Sequence, residues 1–142
     1  MTARTRNILI LSLIAALATF SGCGGGDSAT SESGTIPGTA LPARTLSWEP
    51  PTSYVDATPM NPVTELDQFE IYVNETGTFT DKDVPTASLR AVDTQNRTIT
   101  SSFNLANLSP HVTAGPKYHV SLRAVALTGL KSDFSPPVSF SF

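Results

Sequence analysis

Cysteine occurs once in these 142 residues, at Cys23, so no disulfide can form within the chain. Histidine occurs twice, at His111 and His119. Neither has a cysteine or a carboxylate at metal-ligand spacing, which argues against a zinc centre. Lysine and arginine number nine against twelve acids, for a formal charge of −3, and the basic residues form no cluster. That balance argues against nucleic acid as a partner and against electrostatic docking on anionic lipid. No apolar run reaches the ~20 residues a helix needs to cross a bilayer. There is no G-x-S-x-G nucleophile elbow. Gly24, Gly25 and Gly26 precede no helical pattern, so they make no phosphate cradle. The expectation is a protein that is not an enzyme and has no cofactor, no metal and no nucleic-acid partner.

What is present begins at the N-terminus. Residues 1–7 carry Arg4 and Arg6 and no acid, and residues 8–20 are apolar apart from Ser12 and Thr19. A positive start followed by a short apolar core reads as a secretory signal. Ser21-Gly22-Cys23 resembles the lipobox of bacterial lipoproteins, with Phe20 where that family usually has leucine. The resemblance implies a lipoprotein signal peptide over residues 1–22 and lipidation at Cys23. It places the protein in a bacterial cell envelope, its membrane contact made through the lipid anchor. Gly24 in place of Asp leans toward the outer membrane over the inner one. A lone thiol in an oxidising compartment is a liability, and a thioether-linked lipid removes it. One acyl chain binds a membrane marginally and two hold it; the diacylglyceryl group implied by the resemblance meets that condition.

Residues 23–41 follow as a tether. From Gly24 the sequence reads GGGDSATSESGTIPGTAL, too poor in bulky apolar side chains to offset the entropy of ordering it. Random-coil scaling gives it a reach of ~25 Å. The alternative is an edge strand over residues 35–40, where Pro37 is tolerated.

From residue 42 to 142 the pattern changes to short alternating runs broken by Pro, Gly, Asn and Asp, the mark of an all-β, antiparallel sandwich. No window keeps helical apolar spacing, so no long helix is expected. Leu46 and Trp48 share one face of a first strand. Phe69, Ile71 and Val73 point inward in a second, with Glu70 and Tyr72 outward. Residues 88–92 form a weaker strand. Ile99, Phe103 and Leu105 share a face over residues 98–105, and Leu108 closes that run. Tyr118, Val120, Leu122 and Ala124 line the next strand, and Val138, Phe140 and Phe142 the last. His119 falls on the outward phase of its strand.

In order, Leu46-Ser47-Trp48-Glu49-Pro50-Pro51, Phe69-Glu70-Ile71-Tyr72-Val73, Leu108-Ser109-Pro110, Tyr118-His119-Val120-Ser121-Leu122-Arg123-Ala124 and Ser132-Asp133-Phe134-Ser135 resemble a fibronectin type III domain of the bacterial secreted variety. The resemblance implies an immunoglobulin-like β-sandwich of six or seven strands over residues 42–142. Trp48 would be its core tryptophan, and Tyr118 would be the corner tyrosine whose hydroxyl bonds back to the main chain. The seven residues 111–117 between Pro110 and Tyr118 exceed the family's usual spacing.

A sandwich usually carries its function on loops. Two are long: residues 52–64, with Tyr54 and Met60, and residues 111–117, with His111 and Pro116. These four are the candidate binding residues. Asp81-Lys82-Asp83 near Glu75 reads as a solvated turn in preference to a calcium loop. The functional expectation is a lipid-anchored envelope module that binds a protein or glycan or acts as a spacer. The alternatives are a small envelope hydrolase and a structural subunit of a larger envelope complex.

Overall fold

The computed structural model describes residues 40–142; the signal, Cys23 and most of the tether lie outside the described residues. Eight short strands make up the fold: β1 (Thr45–Ser47), β2 (Leu66–Asn74), β3 (Ala87–Arg90), β4 (Val92–Asp93), β5 (Thr98–Ile99), β6 (Ser102–Asn104), β7 (Lys117–Ala126) and β8 (Val138–Ser141). Between them lie one helical turn, α1 (Pro62–Glu65), and a 3₁₀ turn at Leu105–Leu108. All pairings are antiparallel: a four-stranded sheet in the order β3-β2-β7-β8, a pair β1-β6 and a pair β4-β5. The chain is all-β, as its alternation predicts.

β2 and β7 form the spine. Phe69, Ile71 and Val73 stand opposite Ala124, Leu122 and Val120, and directly opposed residues share a face. That face meets Leu46 and Trp48 from β1 and its continuation, all within one apolar cluster. Trp48 contacts Phe69 edge to face at 5.2 Å between ring centroids, a favoured geometry for aromatic pairs. The two layers thus close on one core, as two half-apolar sheets must. Leu41 packs against its margin.

The expected number of strands needs correction. Among the described residues there are eight strands, not six or seven, because two of the expected runs each divide. Residues 88–92 leave the large sheet at fully buried Ala91, whose N–H donates to Asp67 O and whose carbonyl accepts from Thr100; β3 pairs with β2, whereas β4 pairs with β5. The run over 98–105 divides in the same way between β5, which pairs with β4, and β6, which pairs with β1. Its last member, Leu105, begins the 3₁₀ turn, started by Asn104 Oδ1 accepting the N–H of Ala106.

Glu70 and Tyr72 do point away from the core, but not into water. They are 5% and 2% exposed, because two connections fold over that outer face. Phe134, from the β7–β8 connection, packs on Tyr72 at 4.9 Å, and Phe79, from the β2–β3 connection, stacks on Phe134 at 5.8 Å.

Candidate functional site

The two candidate loops lie at opposite ends of the fold. β2 and β7 run antiparallel, with Leu66 against Ala126 and Asn74 against His119. Residues 48–65 lead into the start of β2, and residues 105–116 lead into the start of β7. Nine residues of β2 at ~3.3 Å each separate the two ends by about 30 Å. One ligand of modest size cannot touch both.

Tyr54 and Met60 are not displayed on a loop. Both are buried in the core cluster, because residues 52–60 fold back on themselves. Tyr54 N–H donates to Thr58 O, Met60 N–H donates to Thr52 O, and Ser53 bridges Pro59. This corrects the placement of Tyr54 and Met60 on an exposed surface: large apolar side chains in a Pro-bracketed segment are held inward by the core. The Tyr54 hydroxyl donates to Glu65 Oε2. Glu65 Oε1 accepts the N–H of Asn61, and Asn61 Oδ1 accepts that of Val63, a reciprocal cap on α1. Pro62 at the first helical position fits the same design.

His111 and Pro116 are exposed. Their loop is pinned between them by buried Val112 and by Tyr118, whose hydroxyl oxygen accepts the main-chain N–H of Thr113 at 3.2 Å. Gly115, at φ +108°, donates to Phe142 O. His119, expected to face outward, is half-buried with its ring against Gly77. Its Nδ1 is buried and without a hydrogen-bond partner among the described residues. The same holds for Trp48 Nε1.

The outer face of the large sheet carries a cluster that strand alternation does not reveal. Glu70 stands opposite Arg123, and Tyr72 opposite Ser121. Lys131 Nζ donates to both Glu70 oxygens at 2.8 and 2.9 Å, and Tyr72 donates to Glu70 Oε2 at 2.6 Å. Arg123 donates to Ser132 O and to Asp81 Oδ1, and its guanidinium lies 4.6 Å from the Phe134 ring centre. Burial pushes the Glu70 carboxyl up. The bonds from Lys131 and Tyr72 and the charges of Lys131 and Arg123 outweigh that and hold it below its ordinary value. Burial, then the bond and charge of Glu70, push the Tyr72 phenol up to about 12. Every charged member is thus engaged by another, and the cluster fastens two connections to the sheet. The signal for it in the sequence was Ser132-Asp133-Phe134-Ser135, whose serines bond β7: Ser132 Oγ accepts from Ala124 and Ser135 Oγ from Leu122.

Asp81, considered with Asp83 for calcium, pairs with Arg123, and Asp83 Oδ2 accepts from Thr80 within its own turn. Among the described residues no group of three His, Cys, Asp or Glu side chains could hold a metal ion. No described helix is long and apolar enough to cross a membrane.

Four large apolar side chains are exposed among the described residues. Val55, Val63 and Leu127 are 47%, 41% and 66% exposed, and all three belong to the end of the domain where β2 begins. Glu65 draws their segments together: Tyr54 bonds its carboxylate, and the N–H of Leu127 donates to its carbonyl at 2.9 Å. Val84, more exposed still, stands apart in the β2–β3 connection. Comparison with protein-family models, with curated proteins and with solved structures finds no match.

Proposed function

We propose that this chain is a lipid-anchored protein of a bacterial cell envelope, with the outer membrane favoured. Its fibronectin type III-like sandwich acts by contact, binding a protein or glycan partner or holding one at a distance, and not by catalysis. The observation that carries the reading is Cys23, the chain's one cysteine, placed directly after a basic and then apolar leader and before a Gly/Ser/Thr-rich tether. The lipid supplies the membrane attachment that a sparse basic complement cannot.

The described domain supports the finer fold reading in three ways. The pair β1-β6 packs over the sheet β3-β2-β7-β8, Trp48 sits between the layers, and the Tyr118 hydroxyl meets main chain at Thr113. Labelling cells with radioactive palmitate tests the anchor. Label in the wild-type protein and none in Cys23→Ala is the expected result; equal label in both overturns it.

A further inference from the structure

The connection from β2 to β3, residues 75–86, is tied to main chain at both ends and lightly held between them. At its start Asn74 Oδ1 accepts the N–H of Gly77, and Asn74 Nδ2 donates to Thr78 O. At its end Thr86 N–H donates to Ile71 O, and Thr86 Oγ1 accepts the N–H of Val73. Between these ties the hydrogen bonds of residues 79–85 join Thr80 and Asp83 to each other, with one exception among the described residues. Arg123 Nη1 donates to Asp81 Oδ1 at 2.6 Å. One aromatic contact accompanies it, Phe79 on Phe134 at 5.8 Å. Residues 80–84 are exposed, Val84 at 83%, and none of residues 75–86 belongs to the core cluster.

What lies beneath this segment is fastened without it. The Arg123 side chain is 12% exposed against 85% for Asp81, and its Nε donates to Ser132 O. Phe134 keeps its contact with Tyr72 and lies 4.6 Å from the Arg123 guanidinium. Ser132 Oγ and Ser135 Oγ accept the N–H groups of Ala124 and Leu122, and Lys131 bonds Glu70. The connection carrying Phe134 thus has its own ties to the sheet. Local opening draws on segments with few buried apolar contacts and exposed backbone, and residues 79–85 answer that description.

We propose that residues 79–85 form a strap that opens and recloses while the sandwich stays folded, with the Asp81–Arg123 ion pair as its latch. Closed, the strap sets Asp81 on the guanidinium and Phe79 on the Phe134 ring. Open, it frees the guanidinium, bares one face of that ring and releases its own backbone to solvent. An exposed ion pair biases such an equilibrium by a factor of about two to five. Salt removes that bias, because the screening length falls to ~3 Å at molar strength. The strap belongs to the described domain and does not depend on a lipid at Cys23.

The chain has three lysines, Lys82, Lys117 and Lys131. Lys82 lies in the strap, whereas Lys117 begins β7 and Lys131 is bonded to Glu70. A lysine-specific endoprotease therefore reads the strap and the rest of the domain separately. Where reclosing outpaces cleavage, the rate of cutting tracks the open population. The full chain in detergent is digested at low and at molar salt, wild type beside Asp81→Asn. Each rate is divided by that of the same chain unfolded in urea at the same salt, which cancels the protease's own response to sequence and ionic strength. At low salt Asp81→Asn should be cut after Lys82 about two to five times faster than wild type. Molar salt should raise the wild type to the variant's rate and leave the variant unchanged, with cutting at Lys117 and Lys131 slower throughout. Equal Lys82 rates for the two chains at low salt, the same salt acceleration in both, or Lys82 cut only in step with Lys117 and Lys131 would each overturn the proposal.

Discussion

Lys131 reaches across 61 residues of sequence to place its ammonium 2.8 and 2.9 Å from the two oxygens of Glu70. Glu70 is almost fully covered, while the Lys131 side chain is 41% exposed. The bond therefore satisfies a buried acceptor from a donor still partly in water. Removing the donor leaves the buried carboxylate with the Tyr72 hydroxyl and a long bond from Gln68 but no neutralising ammonium, and that asymmetry governs the cost. Lys131→Met should destabilise the domain by about 1–2 kcal/mol, a figure discounted for the solvent around the lysine. Adding Glu70→Gln should recover part of the loss. Urea denaturation of the single and double variants measures both.

The same cluster sets a pH window. Glu70 has its folded-state pKa depressed, so its contribution is present above the ordinary carboxylate value of ~4.3. It is lost as pH falls through the lower folded value. Tyr72 is raised to about 12, so its contribution is whole below the unfolded phenol's ~10 and is lost as pH rises through about 12. Stability from these two groups should be flat between those limits. Tyr72→Phe should remove the alkaline fall and weaken the acid one, read by denaturation across pH with tyrosinate absorbance in parallel.

Trp48 is the chain's one tryptophan and lies 8% exposed against Phe69. Trp48→Ala should cost about 3–5 kcal/mol, a large share of a typical domain stability of ~5–15 kcal/mol. Circular dichroism during thermal melting checks it. Wild-type tryptophan fluorescence should be blue-shifted and move red on unfolding.

Gly77 and Gly129 have nearly the same backbone, φ +74° and +81°. A Cβ at Gly129 meets nothing within 4 Å, whereas one at Gly77 falls 3.1 Å from the His119 ring. Gly129→Ala should show the left-handed strain alone, about 1–2 kcal/mol. Gly77→Ala should lose more, and His119→Ala in that background should close the gap. Denaturation midpoints of the wild type and the three variants decide it.

Tyr118→Phe deletes the acceptor for the Thr113 N–H and should cost about 1 kcal/mol. Amide exchange at Thr113 should quicken by more than at Leu122, whose N–H keeps its bond to Ser135.

Much of the domain was legible residue by residue. Leu46 with Trp48, Phe69 with Ile71, and Tyr118 with Val120, Leu122 and Ala124 all occupy the buried face that period-two alternation assigned them. Alternation failed where the chain changed sheets: Ala91 and residues 100–101 look like strand interior, yet they are pivots. It failed also in the loop over 52–64, where Tyr54 and Met60 look like tips of a binding loop and are core plugs. Nothing local distinguishes an aromatic waiting for a ligand from one already filling a cavity.

Which side chains share a strand face follows from the two-residue repeat of an extended backbone, and the sequence determines that much by itself. It likewise determines the lone cysteine, the acidic balance and the sparse basic complement. Whether a face meets water is a question about distant chain. Glu70 and Tyr72 point outward as their positions require, and only the return of residues 131–135 and Phe79 over that face covers them. That covering depends on contacts between segments far apart in the chain, so it was decided when the loops closed on the sheet.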